Sequence, residues 1–455
     1  MRYLALFALL CAQLTAAEFR LGRAAVKVTP PVGIPMAGYY NIRLAEGTHD
    51  ELWAKALVFE QDGSRAAIVV CDLIGFEAPL VRAARQAIEK ATGIAGERVM
   101  ISTTHSHTGP VLRGRALTNV EGRTRQISED YLKSLPVKIA EAVRLANENL
   151  APARISVGAG REDSLSFNRR FFMTDGTVGW NPGKLNPKIV KTAGPIDPAV
   201  PVVYFENPEG KPQATFVNFA MHLDTVGGLE FSADYPYTLA KILGRAKGDG
   251  MLTVFSTGTC GNLNHIDVST SAPQKGHQEA ERIGTVLAGE VIKTYARLQP
   301  VTGGSPEVRR QVLMLKPPSY DSSDVEKAKD VAARYGKPNA APFLEQVRAF
   351  QVLDLVERAG KPVEAEVQVI TLGSDIAWVG LPGEIFVELG TAIKMNSPFR
   401  YTIVSELANG NVGYVPNRKA YPEGNYEVVS ARVAAGSGEE MVDTALRLLG
   451  SIKKQ

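Results

Sequence analysis

The chain has 455 residues, 45% of them hydrophobic, and sets 51 Lys and Arg against 48 Asp and Glu, for a formal charge of +3. That length is ample for a large core. The near balance of dispersed charges argues against a nucleic-acid partner and gives no sign of membrane-surface electrostatics.

Met1-Arg2, the apolar stretch Leu4 to Ala12, and the small residues Thr15, Ala16 and Ala17 read as a secretory signal peptide cleaved after Ala17. Residues 1–17 are therefore set aside, and the mature chain is expected to be exported, either secreted or periplasmic. The apolar run is shorter than the about 20 residues that cross a bilayer. Bulky Leu10 before Cys11 argues against a lipidation signal. Of three cysteines, Cys71 and Cys260 remain, and both read as buried free thiols, because a chain of this size needs no disulfide scaffold. Residues 18–455 show neither internal repeats nor low-complexity linkers and read as a single domain.

Ala66 to Cys71 is a compact apolar strand. Ala78 to Ala91 spaces Leu80, Val81, Ala84 and Ile88 as a helix does, and Arg98 to Ser102 reads as a second strand. Strand, helix and strand in about 40 residues predict a crossover unit with parallel strands. Ligands of such sheets collect beyond the carboxyl ends of the strands. Ala214 to Met221 is strand-like and runs into His222, Asp224 and the turn Gly227-Gly228. Met251 to Phe255 runs into Gly258-Thr259-Cys260-Gly261-Asn262-Leu263-Asn264-His265. Residues 322–361 read as two amphipathic helices around Gly336-Lys337-Pro338-Asn339, a helical cover segment without candidate ligands. Asp375 to Gly380 ends in Leu381-Pro382-Gly383-Glu384, where a helix carrying Ile385, Leu389 and Ile393 is expected to begin. Tyr401 to Val404 leads through Asn409-Gly410-Asn411-Val412-Gly413 to Tyr414, and Glu439 to Leu449 closes the chain as a helix. The predicted class is α/β: a mixed, largely parallel sheet core with flanking helices and a metal site at the carboxyl ends of the strands.

Five apolar strands thus deliver a polar or ligating side chain just past their ends, which suggests a constructed pocket. The richest is Ser102-Thr103-Thr104-His105-Ser106-His107-Thr108-Gly109-Pro110, holding two of only six histidines. On an extended segment, side chains two apart share a face, so both imidazoles address one point. Neutral imidazole is the commonest metal ligand and the usual acid or base near neutral pH. The plain alternative is a pair of structural histidines at a strand end.

These segments together resemble the neutral/alkaline, non-lysosomal ceramidases and their shorter bacterial relatives. The resemblance spans roughly Phe19 to Gly450, as the family's N-terminal catalytic domain. Thr104 to Pro110 is similar to the family's His-x-His-Ser-Gly-Pro, and Asn218-Phe219-Ala220-Met221-His222 to its second histidine segment. Pro382-Gly383-Glu384 matches its Pro-Gly-Glu. Gly413-Tyr414-Val415 and Asn425-Tyr426-Glu427 match its paired-tyrosine segment.

The resemblance implies one catalytic zinc per chain, held by His105, His222, Glu384 and Tyr414. Zinc lowers the pKa of its water to about 7 and polarises a carbonyl. The implied reaction is hydrolysis of a linear N-acyl bond, releasing a fatty acid and an amine such as sphingosine. His107 would move protons between the water and the leaving amine or hold the developing oxyanion. Arg169, in Phe167-Asn168-Arg169-Arg170, would bind or polarise the substrate, and Tyr426 would donate a hydrogen bond near the same oxygen. The implied partner is a small-molecule or lipid N-acyl substrate, met without a transmembrane segment and with peripheral contact to lipid. Read on residues alone, His222 is equally a core histidine, Tyr414 a packing tyrosine, and the arginines surface ion pairs.

Two departures from the family bear on this expectation. Asn264 stands where the family has a serine, which leaves a serine nucleophile unsupported, and Arg170 replaces the serine of the family's Asn-Arg-Ser. The family's C-terminal β-sandwich is also not found before Gln455, which weakens ceramide as substrate more than it weakens amide hydrolysis. A binuclear hydrolase fits poorly, because no Asp-His pair follows His107. A non-catalytic or differently specific zinc-binding relative, acting on another N-acyl lipid or an N-acyl amino acid, is the alternative.

Overall fold

A computed structural model of the chain describes residues 18–454 apart from 115, 116 and 118. The expected signal peptide and its cleavage point near Ala17 lie outside the described residues. The first sheet contains β1 (Arg20–Lys27), β2 (Trp53–Gln61), β3 (Ser64–Cys71) and β4 (Val99–Thr103), in the order β4-β3-β2-β1, with Ala151–Pro152 at its far edge. β2 and β3 form a hairpin across Asp62 and Gly63, both at positive φ. That is the conformation an Asp-Gly turn of this hand requires. From β3 the chain crosses through α1 (Ala78–Thr92) to β4, which pairs parallel to β3, as the spacing predicted. α2 (Gly122–Glu148) lies beside α1, and the two bury Val81, Ile88, Leu135, Ile139 and Val143 against Val69 and Ile101.

The second sheet contains β5 (Arg154–Arg161), β6 (Ala199–Glu206), β7 (Pro212–Phe219), β8 (Leu252–Thr257) and β9 (Gln299–Val301), in the order β8-β7-β6-β5-β9. α3 (Tyr235–Lys247) carries the chain from β7 to its parallel neighbour β8. α4 (His277–Tyr295) packs beside α3, burying Leu239, Leu243, Ile283 and Leu287 against Val217 and Phe219. The third sheet runs β10 (Glu307–Leu315), β11 (Val363–Leu372), β12 (Ile376–Gly380), β13 (Tyr401–Ser405). Between β10 and β11 stand α5 (Ser322–Ala333) and α6 (Phe343–Glu357), the two helices expected in the cover segment. They share a small apolar core of their own, Ala328, Val331, Ala341, Ala349 and Val352. α7 (Val387–Asn396) joins β12 to β13, and α8 (Ser437–Lys453) packs on this sheet through Met441, Ala445 and Leu449.

The class is α/β with mixed sheets, but the balance within them differs from the expected largely parallel core. Each of the three sheets has one parallel pair (β3 with β4, β7 with β8, β12 with β13), and the other ladders are antiparallel. The reason is connection length: short turns such as Asp62-Gly63 permit only antiparallel neighbours, whereas parallel ones need a crossover. The helix expected from Glu384 also begins later, at Val387. Glu384–Ile385 is instead a two-residue strand paired parallel with Tyr414–Val415.

The sheets meet on one apolar cluster that joins Leu57, Phe59, Ile68 and Met100 to Phe205, Phe216 and Val254, and to Ile370, Trp378 and Ile403. Trp378 is fully buried and stacks on Phe59 with ring centroids 5.5 Å apart. At their carboxyl ends the strands are tied across sheets. Thr257 Oγ1 donates to the Thr104 carbonyl at 2.6 Å, Glu406 N to Thr257 O at 3.2 Å, and Asn409 N to Ile101 O at 2.7 Å. The segments following β4, β7, β8, β12 and β13 therefore converge.

Candidate metal centre

His105 and His107 follow β4 but are not on it. The strand ends at Thr103, and His105 has φ +71°, in the left-handed region. The expectation that both rings share the face of an extended segment is thus corrected, since the chain turns at His105. His105 N bonds to Leu73 O, Ser106 Oγ to Ser232 O at 2.6 Å, and His107 N to Leu223 O. The turn nevertheless brings the two Nε2 atoms to 3.2 Å. Gly38 lets this loop close, since a Cβ there would lie 2.6 Å from the Cβ of His107. β7 supplies His222. The short pairing of Glu384 with Tyr414 places those two side by side.

His105 Nδ1 faces the Ile74 carbonyl at 2.8 Å and His222 Nδ1 the Cys260 carbonyl at 2.9 Å. A ring nitrogen facing a carbonyl must donate, which turns the Nε2 lone pairs into the site. There Glu384 Oε2 lies 3.4 Å from His105 Nε2 and 3.3 Å from His222 Nε2. That oxygen is buried and has no hydrogen-bond partner of good geometry. His105, His107 and His222 offer ligand atoms all within 4.8 Å of one another. Separations near 3.3 Å are about those that tetrahedral ligation at about 2.0–2.1 Å produces. The donor set and the orphaned carboxylate oxygen therefore fit a zinc-sized cation.

The electrostatics agree. Burial, with Arg169 next, pushes His222 down to about 3, and burial pushes His107 down to about 4. His105 goes the other way: burial opposes its charge, but the neighbouring Glu384 raises it above the ordinary value. Burial would likewise raise Glu384, yet the His105 charge holds it well below the carboxylate range. Two imidazoles are thus held neutral, with lone pairs to offer, while His105 and Glu384 each favour the other's charge. Burial holds the Tyr414 phenol well above its ordinary value, so only a cation at hand would release its proton.

Of the two adjacent arginines, Arg169 faces this centre. Its Nη1 is 3.5 Å from His222 Nε2, its Nη2 donates to Tyr414 Oη at 3.1 Å and to Gly261 O at 2.7 Å, and its Nε donates to Glu427. Arg170 turns away, to Glu427, Glu423 and the Gly424 carbonyl. The Tyr426 ring lies 5.5 Å from that of Tyr414 and 4.3 Å from Trp180. Phe343 of α6 packs 5.8 Å from Tyr426 and 5.5 Å from Tyr40, so the cover helices border the site. Asn264 is occupied elsewhere, its Nδ2 donating to Asn181 Oδ1 and its Oδ1 accepting from Ile266 N.

Sequence reasoning missed several members. Asp224, noted only as following His222, has its Oδ1 3.6 Å from His107 Nδ1 and accepts from Tyr39 Oη at 2.6 Å. Glu427 bridges Arg169 and Arg170. Glu406, fully buried after β13 and pushed up to about 8 by that burial, bonds the Cys260 segment. The recurrence of an acid just past an apolar strand could have flagged Glu406; no local signal marks Glu427. Cys71 and Cys260 are both buried free thiols, as expected. No helix among the described residues is long and apolar enough to cross a membrane.

Residues 19–225 match the family described as neutral/alkaline non-lysosomal ceramidase, N-terminal. The fold is similar to the crystal structure of neutral ceramidase from Pseudomonas aeruginosa, with a TM-score of 0.74 at 18% identity, covering 96% of this chain and 75% of that one. It is similar to the same degree to a ceramidase complexed with C2, at 17% identity, covering 96% and 76% of the two chains. At such identity the structural likeness speaks for the fold.

Proposed function

We propose, from the match of residues 19–225 to the neutral/alkaline non-lysosomal ceramidase family, that the chain is a member of that family and a zinc-dependent hydrolase of a linear N-acyl bond, with a ceramide-like lipid as its substrate class. The observation that carries this reading is Glu384 Oε2, buried without a hydrogen-bond partner, 3.3–3.4 Å from two Nε2 atoms whose opposite ring nitrogens face carbonyls. His105, His222, Glu384 and Tyr414 would hold one zinc per chain. When bound, such an ion supplies an acidified water near neutral pH and an electrophile for the acyl oxygen.

His107 is the proton carrier in this reading. Its Nε2 faces the same centre as His105, and its depressed basicity keeps it neutral and able to accept a proton at neutral pH. Asp224 beside Nδ1 favours the orientation and the transient charge of that ring. Water adds to the acyl carbon, the C–N bond breaks, and the proton held on His107 passes to the departing amine, leaving a fatty carboxylate. Arg169 and Tyr426 stand on the side where negative charge develops on the carbonyl oxygen. Fixed donors there are worth more than mobile water. The aromatic wall of Tyr426, Trp180 and Phe343, edged by the cover helices, suits an apolar chain. Export of the mature protein belongs to the same proposal.

The test is metal analysis of the purified chain together with release of fatty acid from a panel of N-acyl substrates, ceramides and N-acyl amino acids included. One zinc per chain and hydrolysis abolished by chelation are expected. Full activity in a metal-free preparation would overturn the reading, and cleavage confined to N-acyl amino acids would move the substrate class.

A further inference from the structure

We propose that Glu406 is a positioning residue of the candidate metal centre, its carboxyl group locking together the two segments that carry the ligands. This rests on the zinc reading above. Glu406 follows β13 and is fully buried. Its Oε2 accepts two peptide N–H groups, from Cys260 at 3.0 Å and Ile385 at 2.9 Å, and its Oε1 accepts the Cys260 thiol at 3.1 Å.

Each of those peptides is one step from the site. The Cys260 carbonyl takes the Nδ1 proton of His222, and Ile385 directly follows Glu384. The two segments also bond to each other, Gly261 N to Ile385 O at 2.8 Å, and they run so close that a Cβ on Gly261 would meet the Glu384 carbonyl at 2.4 Å. One carboxylate therefore sets the spacing between the imidazole of His222 and the carboxylate of Glu384.

The charge is the informative part. All three donors to Glu406 are neutral, and a glutamine oxygen would serve the peptide N–H groups as well. Burial pushes the carboxyl up to about 8 while no cation is present, and a cation held by Glu384 on the adjoining segment would favour its ionised form, a response the amide of glutamine cannot make.

The full chain and its Glu406→Gln variant are compared by zinc competition against a chromophoric chelator and by the visible absorption of the cobalt-substituted proteins. Glu406→Gln is expected to keep the metal-free melting temperature, bind zinc 10–100-fold more weakly, as loss of an outer partner of a ligand does, and shift the cobalt bands. Cys260→Ala, which removes only the thiol, should leave zinc affinity within a few-fold of native. Native zinc affinity and a native cobalt spectrum in Glu406→Gln would overturn the proposal while leaving the zinc reading intact. A native chain that binds no zinc would overturn both. Should the glutamine chain not fold, Glu406→Asp is read in its place: charge retained and bonds lengthened should displace the cobalt bands, and an unchanged spectrum would overturn the proposal.

Discussion

Replacing Glu427 by glutamine probes the buried charge cluster that aims Arg169 at the centre. The Glu427 side chain is 0% exposed, between Arg169 at 6% and Arg170 at 2%. Its Oε1 accepts from Arg169 Nε and its Oε2 from Arg170 Nη1, each at 2.9 Å. An amide keeps one acceptor and turns an NH₂ toward the other guanidinium, so one charge-assisted bond becomes a contact between donors. Losing such a bond costs about 1.5–3 kcal/mol, and the missing charge opposite two buried cations brings the total to about 3–5 kcal/mol. Arg169 keeps Gly261 O and Tyr414, and Arg170 keeps Gly424 O and Glu423, which argues for the lower half of that range. At roughly 2.1 cal/mol/K per residue, a chain of 455 residues loses about 1 °C of Tm per kcal/mol, so a fall of about 3–4 °C is expected. The assay is thermal and urea unfolding of the zinc-loaded proteins, with Glu423→Gln as a control at the more open end, expected within about 1 kcal/mol of native. Glu427→Gln within 0.5 kcal/mol of native would refute the reasoning. A destabilised variant with native kcat on an N-acyl substrate would refute the part that ties this cluster to the aim of Arg169.

His107→Ala should retain zinc, because four other donors surround the centre, and lose about 10²–10⁴ in kcat, the usual worth of a positioned proton carrier; zinc content and turnover are measured on the same sample. Zinc at about 100 times its Kd should stabilise the folded chain by about 2.7 kcal/mol, read as a rise in Tm that Glu384→Ala abolishes. His265 is buried with neither ring nitrogen bonded, and burial lowers it from 6.5 to about 4. Between those values the unfolded chain binds the extra proton, so stability present above pH 6.5 is lost as pH falls toward 4. At pH 4.5 that loss is about 2–3 kcal/mol, and unfolding of His265→Leu should show a correspondingly flatter pH profile. Trp378→Ala, at the meeting point of the three sheets, should cost about 3–5 kcal/mol without changing zinc affinity per folded chain.

How much was legible in the sequence follows from where each residue's partners lie. His105, His222, Glu384 and Tyr414 each stand past an apolar strand beside glycine, a local pattern, and the structure brings all four together. The crossover from β3 through α1 to β4 was readable for the same reason, since it is complete within one stretch of chain. The antiparallel majority was not, because an apolar run declares a strand and leaves its partner to the turns. The roles of Glu427 and Glu406 were hidden on another ground. Their bonds reach 257 or 258 residues to the arginines and 146 residues to Cys260, so Glu427 has nothing near it in sequence to distinguish it from a surface acid, and Glu406 only its place just past an apolar strand.

The His105-Ser106-His107 pair converges on one point by a geometry other than the expected one. An extended segment would have aligned the rings as parallel neighbours on one face. The positive φ at His105 instead sets them at an interplanar angle of 86°, edge to face, with both Nε2 atoms turned inward. In the proposed reading that difference separates their tasks. His105 has its Nδ1 bound to the Ile74 carbonyl, so its ring cannot turn, which suits a ligand. His107 Nδ1 lacks a bonded partner and has Asp224 at 3.6 Å, so no carbonyl fixes that ring, which suits a proton carrier. The same contrast holds for His222, fixed by Cys260 O. The two rings held by carbonyls are the ones Glu384 contacts, and the ring left free is the one facing an acid across a gap.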